Sequence, residues 1–179
     1  MRVITGSARG RRLLSPEGYD VRPTTDKVKE SIFNIIQFDL PDAVVLDLFA
    51  GSGQLGIEAL SRGAARAVFV DNSKKSLEVV KSNITLCKFE DKADVVMSDA
   101  VTFIRNTSVK FDIVFLDPPY HNGLCDKVLE CIAEKLNDGG IVICETQNDE
   151  VLLSENLNGI YLDREYCYSA IKLTVYRKN

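Results

Sequence analysis

The sequence predicts an α/β fold: a mostly parallel sheet flanked by helices, finished by an antiparallel pair of strands and preceded by a short N-terminal extension. Three observations carry this reading. After residue 40, short apolar runs alternate with amphipathic segments, the pattern of a parallel sheet with helices on both faces. The last two apolar runs have no helix-length segment between them, so they are expected to pair antiparallel. Finally, the run Ile113-Val114-Phe115-Leu116 stops at Asp117-Pro118-Pro119-Tyr120, a rigid kink at the end of a buried strand.

Residues 1–40 read as the extension. Arg2-Val3-Ile4-Thr5 and Arg12-Leu13-Leu14 flank a Gly/Ser/Arg turn and predict a small basic β-hairpin. Thr24 or Thr25 can cap a helix beginning at Asp26, with Val28, Ile32, Ile35 and Ile36 on its apolar face. Beyond residue 40, strands are expected at 43–48, 66–70, 93–97, 112–117, 140–145, 159–165 and 170–177. Helices are expected at 54–63, 73–87, 100–106 and 123–136, and the irregular stretch 146–158 has room for a short one. No repeat or long linker interrupts the pattern, so the extension packs on one domain, 41–179.

At 179 residues the chain can bury one substantial core. Its net charge of −4 is unevenly spread: residues 1–31 carry +3, leaving −7 on the remainder. An acidic body with a basic N-terminal end suggests a catalytic domain whose polyanionic partner meets the N-terminus. The five cysteines are odd in number and lack a C-x-x-C pair, which argues against a disulfide framework or a zinc site. Cys125 and Cys131 read as small core residues. No apolar h-region opens the chain and no run approaches membrane-spanning length, so a soluble cytoplasmic protein with no membrane partner is expected.

The chemistry gathers where strands end. At Asp117-Pro118-Pro119-Tyr120 a carboxylate, stiff carbonyls and an aromatic ring converge on the edge where open α/β sheets bind ligands. Two acceptors beside a ring suit a flat base with an exocyclic amine. Earlier, Asp47-Leu48-Phe49-Ala50-Gly51-Ser52-Gly53-Gln54-Leu55-Gly56 follows the first strand and contains G-x-G-x-x-G, with Asp71 twenty residues after Gly51. Asp47 discriminates between cofactors, because it would repel a dinucleotide's pyrophosphate but stabilise the ammonium and sulfonium of S-adenosylmethionine. Asp71 suits ribose hydroxyls, and Asp99 suits the exocyclic amine of adenine. Either acid would also serve as a helix cap.

With these motifs in view, the chain resembles class I S-adenosylmethionine-dependent methyltransferases, and among them the RsmD-type 16S rRNA guanine-N(2) methyltransferases. The specific part of the likeness is Arg2-Val3-Ile4-Thr5-Gly6 with Gly10-Arg11-Arg12-Leu13, and the block from Arg22-Pro23-Thr24-Thr25 to Ile32-Phe33-Asn34. Near the C-terminus, Tyr168-Ser169-Ala170-Ile171-Lys172-Leu173 resembles a Tyr-Gly-x-Thr-Ala-Leu-type segment. The resemblance implies a Rossmann-like, seven-stranded sheet whose last strand is antiparallel, and the cofactor S-adenosyl-L-methionine, leaving as S-adenosyl-L-homocysteine, without a metal. Asp47, Gly51 and Gly53 would line the methionine end, Asp71 the ribose and Asp99 the adenine, with Phe49, Ser52, Asn72 and Ala100 also against the cofactor and Arg22 and Thr24 as a cover.

The implied substrate is a guanine 2-amino group in 16S rRNA, within an assembled or assembling small ribosomal subunit, and a monomer is the default. Asp117 and the Pro118 carbonyl would accept from the amine, while Pro119 stiffens the turn and Tyr120 stacks on the base. Arg9, Arg11 and Arg12 would grip phosphates, and His121 would meet a phosphate or solvent. Three rival readings share the motifs: methylation of an adenine amine in RNA or DNA or of a glutamine amide, a dinucleotide-dependent oxidoreductase, and a non-catalytic RNA-binding module.

Overall fold

The computed structural model describes residues 1–16, 25–155 and 157–179. Seven strands make one sheet: β1 (Val44–Asp47), β2 (Arg66–Asp71), β3 (Ala93–Met97), β4 (Phe111–Leu116), β5 (Leu136–Gln147), β6 (Ile160–Tyr168) and β7 (Ile171–Lys178). Their order is β3-β2-β1-β4-β5-β7-β6. The first five pair in parallel, and β7 runs antiparallel between β5 and β6. Reversal of the order at β1 creates a crevice at the carboxyl ends of β1 and β4, the switch point of a doubly wound sheet.

Helices cover both faces because the parallel strands are apolar on both. On one face Val45, Phe69, Phe115 and Ile143 pack with residues of α1 (Asp26–Ile35), α2 (Gln54–Ser61) and α3 (Lys74–Cys87). On the other, Leu46, Val70, Leu116 and Cys144 pack with residues of α4 (Ala100–Asn106) and α5 (Leu124–Ile132). Among the described residues no helix is long and apolar enough to cross a membrane.

Three local expectations change. The helix expected to reach residue 136 stops at Ile132, and a 3₁₀ turn, Ala133–Lys135, delivers β5 four residues early. Leu136 pairs with Phe111, and the chain then bulges through Gly139, at φ +75°, before Ile141 meets Ile113. The described part of 148–159 holds no helix; it is strapped down instead by Tyr176 Oη donating to the Leu153 carbonyl (2.7 Å) and by Leu153 N–H donating to Asp126 (2.9 Å). Cys131 is only half-buried, whereas Cys125 is in the core.

The N-terminal hairpin is reduced to one antiparallel bridge, Arg2 to Arg12, supported by Val3 N–H on the Arg11 carbonyl (2.9 Å). Thr25 is the cap of α1, accepting from Val28 N–H at 3.3 Å; Thr24 lies outside the described residues. Phe33, absent from the expected apolar face, is fully buried while Ile35 is only partly so. Its ring takes the Arg62 guanidinium 4.7 Å from its centroid.

A buried carboxylate holds this end to the body. Glu58 of α2 accepts from the N–H groups of Ile4 (2.8 Å) and Thr5 (3.0 Å) and from Arg62 Nε (2.8 Å), and Lys29 Nζ lies 3.5 Å away. Lys29 also donates to the Arg2 carbonyl, and its burial pulls its pKa down against the opposing pull of Glu58. Ser61 Oγ adds a clasp, donating to the Thr5 carbonyl (2.6 Å) and accepting from Ala8 N–H (3.0 Å).

Glu58→Ala leaves the buried Lys29 cation without its carboxylate and two backbone N–H groups without an acceptor. Urea unfolding should show a loss of about 3–5 kcal/mol, the cost of breaking a buried pair from one side; a loss under about 1 kcal/mol would mean that water replaces the carboxylate freely.

Candidate active site

Register alone aligns the acids. Asp47 is level with Phe69 on β2 and Phe115 on β4, so Asp71 and Asp117 lie two residues further out on the two flanking strands, on the same face. Leu116 is level with Cys144, which puts Asp117 level with Glu145 at the end of β5. Asp71 is level with Met97, and Asp99 lies two residues beyond it. Five neighbouring strands thus deliver Asp99, Asp71, Asp47, Asp117 and Glu145 to one edge. Glu145 was not among the residues expected from sequence, although it closes the apolar run Ile141–Cys144 as Asp117 closes Ile113–Leu116.

At the centre, Asp47 is buried and accepts from Gly56 N–H at 3.0 Å. Burial pushes its pKa up to about 8, with Asp117 and Asp71 adding to the rise and the Gly56 N–H opposing it. The loop between β1 and α2 folds tightly around it. Gly53 caps α2 at φ +78°, a left-handed conformation that suits glycine. Gly56 has no room for a side chain: a Cβ there would lie 2.3 Å from the Phe69 ring. Asp71 braces the same loop, with Oδ2 accepting from Gly51 N–H (2.9 Å) and Oδ1 from Ser73 N–H (2.8 Å). A Cβ on Gly51 would meet nothing closer than the Phe49 carbonyl at 3.9 Å, so the loop's outer surface is open.

The second half of the site is the turn after β4. Pro118, Pro119 and Tyr120 line a cavity of about 280 Å³ with Glu145, Thr146 and the first residues of α5. Tyr120 Oη donates to the buried Glu145 Oε1 at 3.5 Å. The turn is held from across the edge by Glu150, which accepts from His121 N–H (3.1 Å) and Gln147 N–H (3.2 Å). His121 takes φ +56°, and its Nε2 lies 3.2 Å from Gln147 Oε1 and 3.8 Å from Asp149.

The remaining expected residues divide. Asp99 is the N-cap of α4, its Oδ1 accepting from Thr102 N–H at 3.0 Å, and that bond holds its pKa below the usual carboxylate range. Ala100 is buried, Asn72 is exposed and Phe49 packs against the α4 and α5 side of the core. The Ser52 hydroxyl donates to Met1 Sδ at 3.2 Å, and Asn83 ties the Ser52 carbonyl to Leu14, so the loop leans on the N-terminal segment. Arg9, Arg11 and Arg12 are exposed and take part in none of the ion pairs among the described residues. Arg22, expected as a cover, lies outside the described residues with Thr24. Among the described residues no group of three or more His, Cys, Asp or Glu side chains is arranged to hold a metal ion.

Residues 1–177 match the family described as Conserved hypothetical protein 95. The Haemophilus influenzae protein named Ribosomal RNA small subunit methyltransferase D is 36% identical over 181 residues, which cover 93% of each chain. The chain belongs to the RsmD-type methyltransferase family. Another similar protein, YlbH of Bacillus subtilis, is 40% identical over 183 residues and 99% of each chain. The solved structure of Escherichia coli yhhF superimposes with a TM-score of 0.86 at 32% identity, over 100% of this chain and 98% of that one. The Rossmann-like class I methyltransferase fold expected from sequence is therefore the fold observed.

In this RsmD-type chain the electrostatics favour a cationic ligand over an anionic one. Burial and the two acids beside it make charge on Asp47 costly, a cost that a positive ligand offsets and a pyrophosphate would increase. The donor set therefore fits the ammonium and sulfonium of S-adenosylmethionine.

The folded pKa of Asp47 lies above its unfolded value of 3.8, so its proton-linked stability is complete below pH 4 and disappears as pH rises to about 8. The unfolding free energy from urea titration should fall across that window in the free protein, by about 1.4 kcal/mol per pH unit at most, and Asp47→Asn should flatten the profile; an equal slope in the variant would remove Asp47 as the titrating group.

Proposed function

We propose that this protein transfers a methyl group from S-adenosylmethionine to the exocyclic 2-amino group of a guanine in 16S rRNA, within an assembled or assembling small ribosomal subunit. One observation carries the reading: the row of strand-end carboxylates runs from the buried Asp47 to Asp117, which directly precedes Pro118, Pro119 and Tyr120 in the wall of a cavity. A site for a cation and a site for an amine are thereby adjacent. Support for the RNA comes from the Haemophilus influenzae relative, whose name specifies small-subunit ribosomal RNA. The choice of guanine comes from the family resemblance and from the amine chemistry of the turn.

The cofactor, when bound, supplies an electrophilic methyl on a sulfonium. Asp47 answers its positive charge, Asp71 accepts from the ribose diol beside the glycine loop, and Gly51 leaves the loop surface clear. A guanine 2-amino group is a poor nucleophile because its lone pair is delocalised into the ring. The Asp117 carboxylate and the Pro118 carbonyl correct this by accepting its two N–H hydrogens, which favours a pyramidal nitrogen with a localised pair. Tyr120 fixes the base plane by stacking, worth on the order of 1–3 kcal/mol. Positioning provides much of the acceleration. The surplus amine proton then passes to Asp117 or to solvent.

The target base must be unstacked to enter the cavity, as enzymes acting on bases require. Arg9, Arg11 and Arg12, exposed on the N-terminal turn, are the phosphate contacts. The acidic remainder of the chain disfavours tight binding to naked RNA, and a particle that also presents protein surface suits it better.

Asp117→Ala should keep its affinity for S-adenosylmethionine by calorimetry and lose at least about a hundredfold in turnover on unmethylated small subunits; near-normal turnover would reject its role. Replacing Arg9, Arg11 and Arg12 together by alanine should weaken subunit binding and flatten its dependence on salt. An unchanged salt slope would make the turn purely structural. Mapping methylated nucleotides in 16S rRNA from cells with and without the protein should reveal one 2-methylguanine that depends on it.

A further inference from the structure

Glu145 has no part in the mechanism above, yet it is a buried acid lining the cavity proposed for the base. We infer that Glu145 selects guanine by accepting the N1–H that lies beside the reacting 2-amino group, an inference that rests on the proposed guanine target. Register puts Glu145 level with Asp117 on the neighbouring parallel strand, and adjacent strands lie about 4.8 Å apart. Two carboxylates side by side match the two donors, N1–H and N2–H, side by side on one edge of guanine. Neither adenine nor 2-aminopurine offers that pair, because N1 in both is an acceptor and would face the Glu145 carboxylate with a lone pair.

The Tyr120 Oη contact with Glu145, 3.5 Å, ties the stacking ring to the reading acid, so the residue that orients the base plane and the one that checks its edge are neighbours in one cavity. The cavity, about 280 Å³, lies near the lower end of the range for small-ligand pockets, a size for one base.

The test uses small subunits reconstituted with 16S rRNA carrying either guanine or 2-aminopurine at the mapped methylation position, with labelled S-adenosylmethionine. The wild-type protein should prefer guanine by roughly 10- to 100-fold in kcat/KM, the discrimination expected of a paired hydrogen-bond contact. Glu145→Gln keeps the shape but offers an amide N–H to an unprotonated N1. It should lose at least about tenfold on guanine and bring the preference to within about threefold, with cofactor affinity by calorimetry unchanged. Tyr120→Phe removes the hydroxyl contact and should slow both substrates while retaining the preference. Equal use of both bases by the wild type, or a Glu145→Gln loss of the same proportion on each, would overturn the role of Glu145 and leave guanine methylation standing. If mapping instead finds the methyl group on a different base, the parent reading fails and this inference fails with it.

Discussion

In a parallel sheet, residues in register on neighbouring strands point to the same face, so a series of strands that end in acids must deliver them to one edge in a row. That constraint organises this molecule. Asp99, Asp71, Asp47, Asp117 and Glu145 are separated by as many as 98 residues in the chain, yet β3, β2, β1, β4 and β5 align them without further design. Because Asp47 sits two residues deeper than its neighbours on either side, the row has a buried centre and two outer arms. Burial then supplies the electrostatic character, raising Asp47 to about 8 and making the crevice a place that gains from a positive ligand.

The N-terminal segment depends on a different interaction. Arg2 to Leu13 has one bridge and little secondary structure of its own, so a buried carboxylate from α2 does the work of a strand partner. Glu58 accepts from its backbone and faces Lys29 of α1, joining the hairpin, the first helix and the domain body at one point. Through Asn83 and Met1 the same segment touches the glycine loop, which places the exposed arginines and the cofactor crevice on a shared support. The proposed phosphate surface and the proposed cofactor loop therefore rest on one another.

Local chemistry was legible in sequence where a motif carries its own geometry. Two prolines after an apolar run are stiff in any context, and a glycine pair before a helix forces a tight turn, so Asp117–Tyr120 and Gly51–Gly56 could be placed by reading alone. The early start of β5 could not, since its bulge arises from pairing with Phe111, a partner across the sheet. The roles of Glu145 and Glu150 were hidden for the same reason: Tyr120 and His121, which they hold, are 25 and 29 residues away. Asp99 shows the converse: the cap that its neighbours predict is realised, and its place at the end of the row comes from register.

The sequence by itself determined the α/β alternation, the turn chemistry and the family, because each rests on residues within one or two turns of chain. Tertiary structure decided which acids share an edge, which of them is buried, and what closes the cavity beside Tyr120. The physical reason is that register and burial are properties of pairs of strands and of the helices laid over them, and a side chain acquires its charge state and its partners only when those distant segments meet.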